Sequence, residues 1–273
     1  MSIALTHFAA RAGDHNDRAM LASRLLTEAF TDRLGTASVV IGTPSPAISG
    51  GWKEELDAAR PDLLRLSSHL DEVFREGAVP VTALSRCAVA LATLPVVARH
   101  RPDAVVVWFD AHADLHTPGT TDSGYLGGLA FAGPLGLWDS GLGAGLRADN
   151  AVLVGVRDPD PAERVLIEAG AVASVLPGPD LAERLRRAIA GRPVYVHIDC
   201  DVLEPGIVPT DYAVRGGLTL DELHACAGAL AESEVVGIEV GELEARSADD
   251  RAPARELVAA LSPLLEPFTM VRS

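Results

Sequence analysis

The chain is short of several things, and each shortage excludes something. Only three of its 273 residues are cysteine: Cys87, Cys200 and Cys226. Three is too few, and odd in number, for a disulfide framework, so a reducing, cytoplasmic setting is the expectation. Basic residues are scarce too: 23 Lys and Arg face 38 Asp and Glu, a formal net charge of -15. Nucleic acid is therefore not an expected partner, because phosphates need a basic surface. No apolar run approaches the roughly 18 residues of a membrane span, so no membrane partner is expected. The first residues, Met1-Ser-Ile-Ala-Leu-Thr-His7, carry no basic n-region and no long apolar h-region. There is no Pro/Gly/Ser-rich linker, no repeat and no low-complexity tract.

What is present is a chain that is 48% hydrophobic, enough for a large core. One catalytic domain over residues 1–273 is expected. Short Val/Ile-rich runs mark strands at residues 3–10, 37–42, 80–84, 104–110, 151–156, 173–176, 194–199 and 235–240. Helical periodicity lies between most of them, at Met20 to Leu34, Ala88 to Arg99, Asp180 to Ala190 and Leu220 to Ser233. Nearly continuous apolar strands suit a parallel sheet covered on both faces. The reading is α/β: a three-layer α/β/α fold around a mostly parallel, eight-stranded sheet. Binding crevices in such sheets lie beyond the carboxyl ends of the strands.

Two strands end in acids there. Val105-Val-Val-Trp-Phe-Asp110-Ala-His112-Ala-Asp114 closes one, and Tyr195-Val-His-Ile-Asp199-Cys-Asp201 closes another. On an extended segment, residues at i, i+2 and i+4 share a face, so each set can converge on one centre. Acids at strand ends also serve as caps and turn formers. Two such motifs, each behind a buried strand, favour a metal site, and carboxylates with imidazole suit an ion such as Mn²⁺. Bridging carboxylates can hold two ions about 3.5–4 Å apart.

These motifs resemble those of the ureohydrolases, the arginases, agmatinases and their relatives. Asp110-Ala-His-Ala-Asp114 is similar to the first metal motif of that family. Thr117-Pro-Gly-Thr-Thr-Asp-Ser-Gly124 looks like its substrate loop. Asp199-Cys-Asp201-Val-Leu-Glu-Pro205, with Gly216-Gly-Leu-Thr219 downstream, looks like its second metal motif. The resemblance, over residues 80 to 245, implies the arginase/deacetylase fold, a binuclear manganese centre and a homo-oligomer. It implies that Asp110 and Asp199 bridge the ions, that His112 and Asp201 complete one site, and that Asp114 belongs to the other.

It also implies a small guanidino amino acid as substrate. Glu242 aligns with the glutamate that pairs with the guanidinium, and Asp160 and Glu163 with the acids that hold the α-ammonium group. Asp160-Pro161-Ala-Glu163 is equally a well-formed helix start. Thr121 and Ser123 match donors to an α-carboxylate. His116 stands where arginases carry asparagine, and either contacts substrate or caps its turn. Asp114 and Glu242 are the expected catalytic residues: Asp114 orients the attacking water and moves its proton.

Two departures matter. The remaining family ligand is a histidine in Gly-Gly-Asp-His-Ser; the aligned stretch here is Leu84-Ser-Arg-Cys-Ala88, which puts Cys87 at the ligand position. A thiolate suits Mn²⁺ poorly, so one ion is expected to bind tightly and a second weakly or not at all. Ser85 is expected to cap the following helix and to place Cys87 in a first turn that favours the thiolate. Gly127 stands where the family has a proton-shuttling histidine. This pair of departures resembles the atypical members of the family that convert Nω-hydroxy-L-arginine to L-ornithine and hydroxyurea, which implies a setting in D-cycloserine biosynthesis. An ordinary arginase releasing urea, and a noncatalytic metal-binding relative, are the alternatives. Residues 1–75 show no recognisable chemistry.

Overall fold

In the computed structural model, which describes residues 2–269, the apolar runs form eight strands of one sheet. They are β1 (Ile3–Phe8), β2 (Ser38–Ile41), β3 (Val79–Ala83), β4 (Val105–Phe109), β5 (Ala151–Val154), β6 (Ala173–Val175), β7 (Val194–Asp199) and β8 (Val235–Gly241). Their order is β2-β1-β3-β8-β7-β4-β5-β6. Every pairing between them is parallel, so the sheet goes beyond the mostly parallel expectation.

The two faces of β4 show why one strand serves two layers. Val105, Val107 and Phe109 join one apolar cluster, while Val106 and Trp108 join another on the opposite face. The first layer is built from α1 (Arg18–Leu34), α5 (Leu181–Ile189), α6 (Leu220–Ala231), α7 (Ala252–Ala260) and α8 (Ser262–Thr269). The second holds α2 (Trp52–Arg75), α3 (Ala90–His100) and α4 (Pro161–Glu168).

Local chemistry sets the helix ends. Thr219 and Glu222 form a reciprocal capping box that starts α6. Gly35, in the left-handed conformation, ends α1 by donating its N–H to the Thr31 carbonyl. The long helix α2, which has Pro61 inside it, was not anticipated from sequence. Its Leu56, Leu63, Leu66 and Leu70 are buried, and that apolar stripe outweighs the hydrogen bond Pro61 cannot make. Among the described residues no helix is long and apolar enough to cross a membrane. Cys87, Cys200 and Cys226 are free thiols.

Four adjacent central strands, in the order β3-β8-β7-β4, open at one edge of the sheet. Register places Ala83 beside Val240, Asp199 beside Gly241 and Ile198 beside Phe109. The segments that follow these positions carry Cys87, Glu242, Asp201 and Asp110.

Candidate metal centre and active site

Asp110 follows β4, and both of its carboxylate oxygens have partners. Oδ1 accepts from the His112 N–H at 2.7 Å, and Oδ2 accepts from Trp108 Nε1 at 2.9 Å. His112 turns its Nδ1 towards the acids, 3.0 Å from Asp201 Oδ2 and 3.3 Å from Asp110 Oδ1. Asp201 Oδ1 accepts from the Ala111 N–H, and Asp199 Oδ1 accepts from the Asp201 N–H. One backbone amide, that of Ala111, therefore ties the first acidic motif to the second, and the others brace each motif internally. Asp110, His112 and Asp201 bring one ligand atom each within 4.8 Å of one another; so do Asp110, Asp114 and Cys87, and so do Asp199, Cys87 and Glu242. Asp110 and Cys87 each belong to two of these groups.

The charges are poorly balanced. Asp110 is pushed up to about 7 by burial first and then by the neighbouring Asp201. Burial raises Asp114 and Asp199 well above the usual carboxylate range, with Asp110 adding to the first and Asp201 to the second. Burial acts against Asp201 as well, but hydrogen bonds from His112 prevail and hold that carboxyl below its ordinary value. Buried acids that crowd together in this way need a cation. Oxygen donors with one imidazole fit a hard or borderline divalent ion.

Cys87 opens a short 3₁₀ turn, Cys87–Val89, directly before α3. Ser85 does not cap it: its hydroxyl donates to the Ala10 carbonyl, because the segment is pinned to the chain after β1. The expectation of a thiolate-favouring position fails with it. Burial drives the Cys87 thiol well above its ordinary pKa, and Asp199 adds to the shift. The Cys87 Sγ donates to Asp199 Oδ2 at 3.1 Å and lies 3.0 Å from His197 Nε2. His197 is held by Glu239 at 2.7 Å and stacks on the Trp108 ring. Sequence reading passed over His197 as part of an apolar strand. Its place two residues before Asp199, among buried neighbours, was the available signal.

A cavity of about 270 Å³ opens over these groups, lined by Cys87, His112, Asp114, Asp199, Asp201 and Glu242 on its inner side. Asp114 and Glu242 both adopt left-handed backbone conformations, at φ 53° and 62°. That strain, about 1–3 kcal/mol per residue, is tolerated where surrounding structure fixes a functional side chain. His116, Ser123, Asp160 and Glu163 line the outer part, and Thr121 does not. Thr121 instead accepts from the Gly124 N–H, which shapes the loop and turns it from the cavity. His116 places Nε2 2.8 Å from Asp160 Oδ2 and Nδ1 3.2 Å from Thr120 Oγ1, so it ties its turn, and it also lies in the cavity wall. Glu163 accepts from the N–H groups of Asp160 and Leu115, so helix capping and the cavity wall share one residue.

Four wall residues escaped the sequence reading: Tyr125, Gly128, Asp158 and Tyr212. Tyr125 explains Gly127. A Cβ at position 127 would lie 2.3 Å from the Tyr125 ring, so tyrosine fills the space a side chain there would need. Glu242 corrects a simpler expectation. Its Oε2 already has a guanidinium partner, Arg86 Nη1 at 2.7 Å, and its Oε1 accepts from the Cys87 N–H at 2.8 Å. Residues 1–75 are not silent either. Asp14 reaches Arg86, and the His15 ring lies against Tyr125.

Comparison with known proteins follows the same lines. The sequence model of the arginase family matches residues 14–262. An N(omega)-hydroxy-L-arginine amidinohydrolase of Streptomyces lavendulae is 41% identical over 239 residues, 88% of this chain and 87% of that protein. An arginase of Glaciozyma antarctica is 30% identical over 222 residues, 73% of this chain but only 63% of that protein. The solved arginase of Bacillus cereus superposes with a TM-score of 0.83 at 23% identity, over 97% of this chain and 98% of that one. That likeness carries the fold alone. The family match and the sequence identity carry more: this chain belongs to the arginase family.

Proposed function

We propose that this chain, a hydrolase of the arginase family, is a manganese-dependent amidinohydrolase. As one catalytic unit it converts Nω-hydroxy-L-arginine to L-ornithine and hydroxyurea. One observation carries the reaction class: His112, Asp114, Asp199, Asp201 and Glu242 all line one cavity, with Asp110 buried within ligand distance of His112 and Asp201. The choice of substrate is supported by 41% identity to a protein named for it and by Cys87 at the ligand position.

Asp110, Asp199, Asp201 and His112 would hold the tighter ion, and Cys87 with Asp114 would supply a weaker site. When bound, the metal lowers the pKa of water and so supplies a nucleophile at neutral pH. Asp114 orients the attacking water and carries its proton to the departing nitrogen. The new C–O bond forms at the central guanidino carbon, the C–N bond to the ornithine side chain breaks, and that nitrogen leaves as an amine. Glu242 accepts hydrogen bonds from the guanidino nitrogens. Asp160, with His116 and Glu163 behind it, holds the α-ammonium group. Ser123 is the donor to the α-carboxylate; Thr121 shapes its loop. Gly127 moves no proton, which leaves that task to Asp114.

An assay with Mn²⁺ that separates urea from hydroxyurea tests this reading. Nω-hydroxy-L-arginine should be consumed with a kcat/KM at least about tenfold above that of L-arginine, a transition-state difference of about 1.4 kcal/mol. Faster turnover of L-arginine to urea would establish the ordinary arginase reading, which the likeness to the Glaciozyma arginase favours.

A further inference from the structure

Arg86 is fully buried beside the cavity, with an acid at each of its three guanidinium nitrogens. Nη1 donates to Glu242 at 2.7 Å, Nη2 to Glu244 at 2.9 Å, and Nε to Asp14 at 3.2 Å. Where the family segment has an aspartate, this chain has that arginine, a reversal of charge next to the ligand position. We propose that Arg86 determines the substrate's charge: by pairing with Glu242 from behind, it disfavours the cationic guanidinium of L-arginine and admits the less basic hydroxyguanidine. The inference rests on the reading of this cavity as a guanidino site and names what selects within it.

A guanidinium and a carboxylate bind best as a two-pronged pair that uses both oxygens. In Glu242 one oxygen is engaged by Arg86 and the other by the Cys87 N–H. Only the second also faces a cavity group, the Tyr125 hydroxyl at 3.4 Å. A second guanidinium at the same carboxylate meets a fixed cation in a site where water screens poorly. Burial opposes the charge on Arg86, but Glu242 and Asp14 outweigh it and raise its pKa, so the cation persists. The other acids compete with Glu242 for Arg86 only in part. Arg18 shares Glu244 at 2.8 Å and Asp211 at 3.4 Å, and Asp14 is pushed up to about 6 by burial, despite Arg86. An N-hydroxyl withdraws electrons, so more of that substrate is neutral. The neutral form brings N–H and O–H donors to Glu242 without the repulsion.

The test compares L-arginine, which is cationic, with L-citrulline, a neutral ligand with the same amino-acid end. Calorimetric affinities are measured on the Mn²⁺-loaded protein, wild type and three variants. Arg86→Gln should improve the affinity of L-arginine relative to L-citrulline at least about tenfold. Arg86→Lys, which keeps the charge, should leave the ratio within about twofold. Glu244→Gln, which removes a competing acid, should shift it further against L-arginine. A purely structural role would weaken both ligands together. An unchanged ratio in Arg86→Gln overturns the proposal, as does a failure of either ligand to bind any variant. If Arg86→Gln does not fold, Glu244→Gln decides, and a ratio that does not move there overturns it. The reaction is scored separately on Nω-hydroxy-L-arginine: turnover with a flat ratio sinks the role of Arg86 alone, and a shifted ratio without turnover sinks the proposed reaction alone.

Discussion

Two buried acidic clusters meet at Glu242, and they are balanced in different ways. In one, Asp14, Glu242 and Glu244 surround the permanent cation Arg86, with a hydrogen bond to each acid. In the other, Asp110 and Asp201 pair with the imidazole of His112 and the Arg157 guanidinium binds the Asp201 carbonyl, yet burial leaves Asp110, Asp114 and Asp199 shifted upward. The first cluster carries its counter-ion in the sequence. The second is built to receive one. The same chemistry, crowded carboxylates in a dry site, therefore gives a fixed structural element in one cluster and a candidate ion site in the other.

The contrast can be broken from either side. The largest effect should come from Asp114→Asn, which keeps shape and removes the base. Turnover should fall about 10²–10⁴-fold at saturating substrate, with binding of L-citrulline little changed. A noncatalytic binding protein would show no such loss. Arg86→Met should destabilise the protein by about 3–5 kcal/mol in urea unfolding, since three buried acids lose their cation. A loss below about 1 kcal/mol would mean that the acids there do not depend on it.

Asp14 sharpens the comparison through pH. Its folded value of about 6 lies above the ordinary 3.8, so the fold favours the protonated acid. The associated stability is present below pH 3.8 and is lost as pH rises through about 6, by up to about 3 kcal/mol. Asp14→Asn should flatten that part of the stability profile; an unaltered profile would count against it. Smallest is the gain from filling the second cluster. Free Mn²⁺ at about 100 times its dissociation constant should stabilise the protein by about 2.7 kcal/mol, and a chelator should reverse the gain. Metal analysis at rising Mn²⁺ should show one tight and one weak site, and two equally tight ions would remove the distinction drawn for Cys87.

The strands were legible because β4 is apolar at every position that precedes its acid, and β7 at every position but His197. The metal acids were legible because i, i+2 spacing on an extended segment puts them on one face. Helix α2, with Pro61 inside it, was not read, although Ala88 to Arg99 was read as a helix despite Pro95, so an internal proline does not by itself hide a helix. His197 and Tyr125 were hidden by distance along the chain. Nothing within a few residues of either shows what it touches, and their partners, Cys87 and Glu242, lie far along the chain.

By itself the sequence determined the parallel α/β frame, the two acidic motifs and the loss of the histidines at Cys87 and Gly127. Each of these is a local matter of residue type and spacing. Only the tertiary structure decided that Glu242 already holds a guanidinium, that Ser85 anchors a loop and caps no helix, and that Tyr125 fills the space beside Gly127. Those outcomes depend on which side chains share a desolvated volume, and close packing of distant segments sets that.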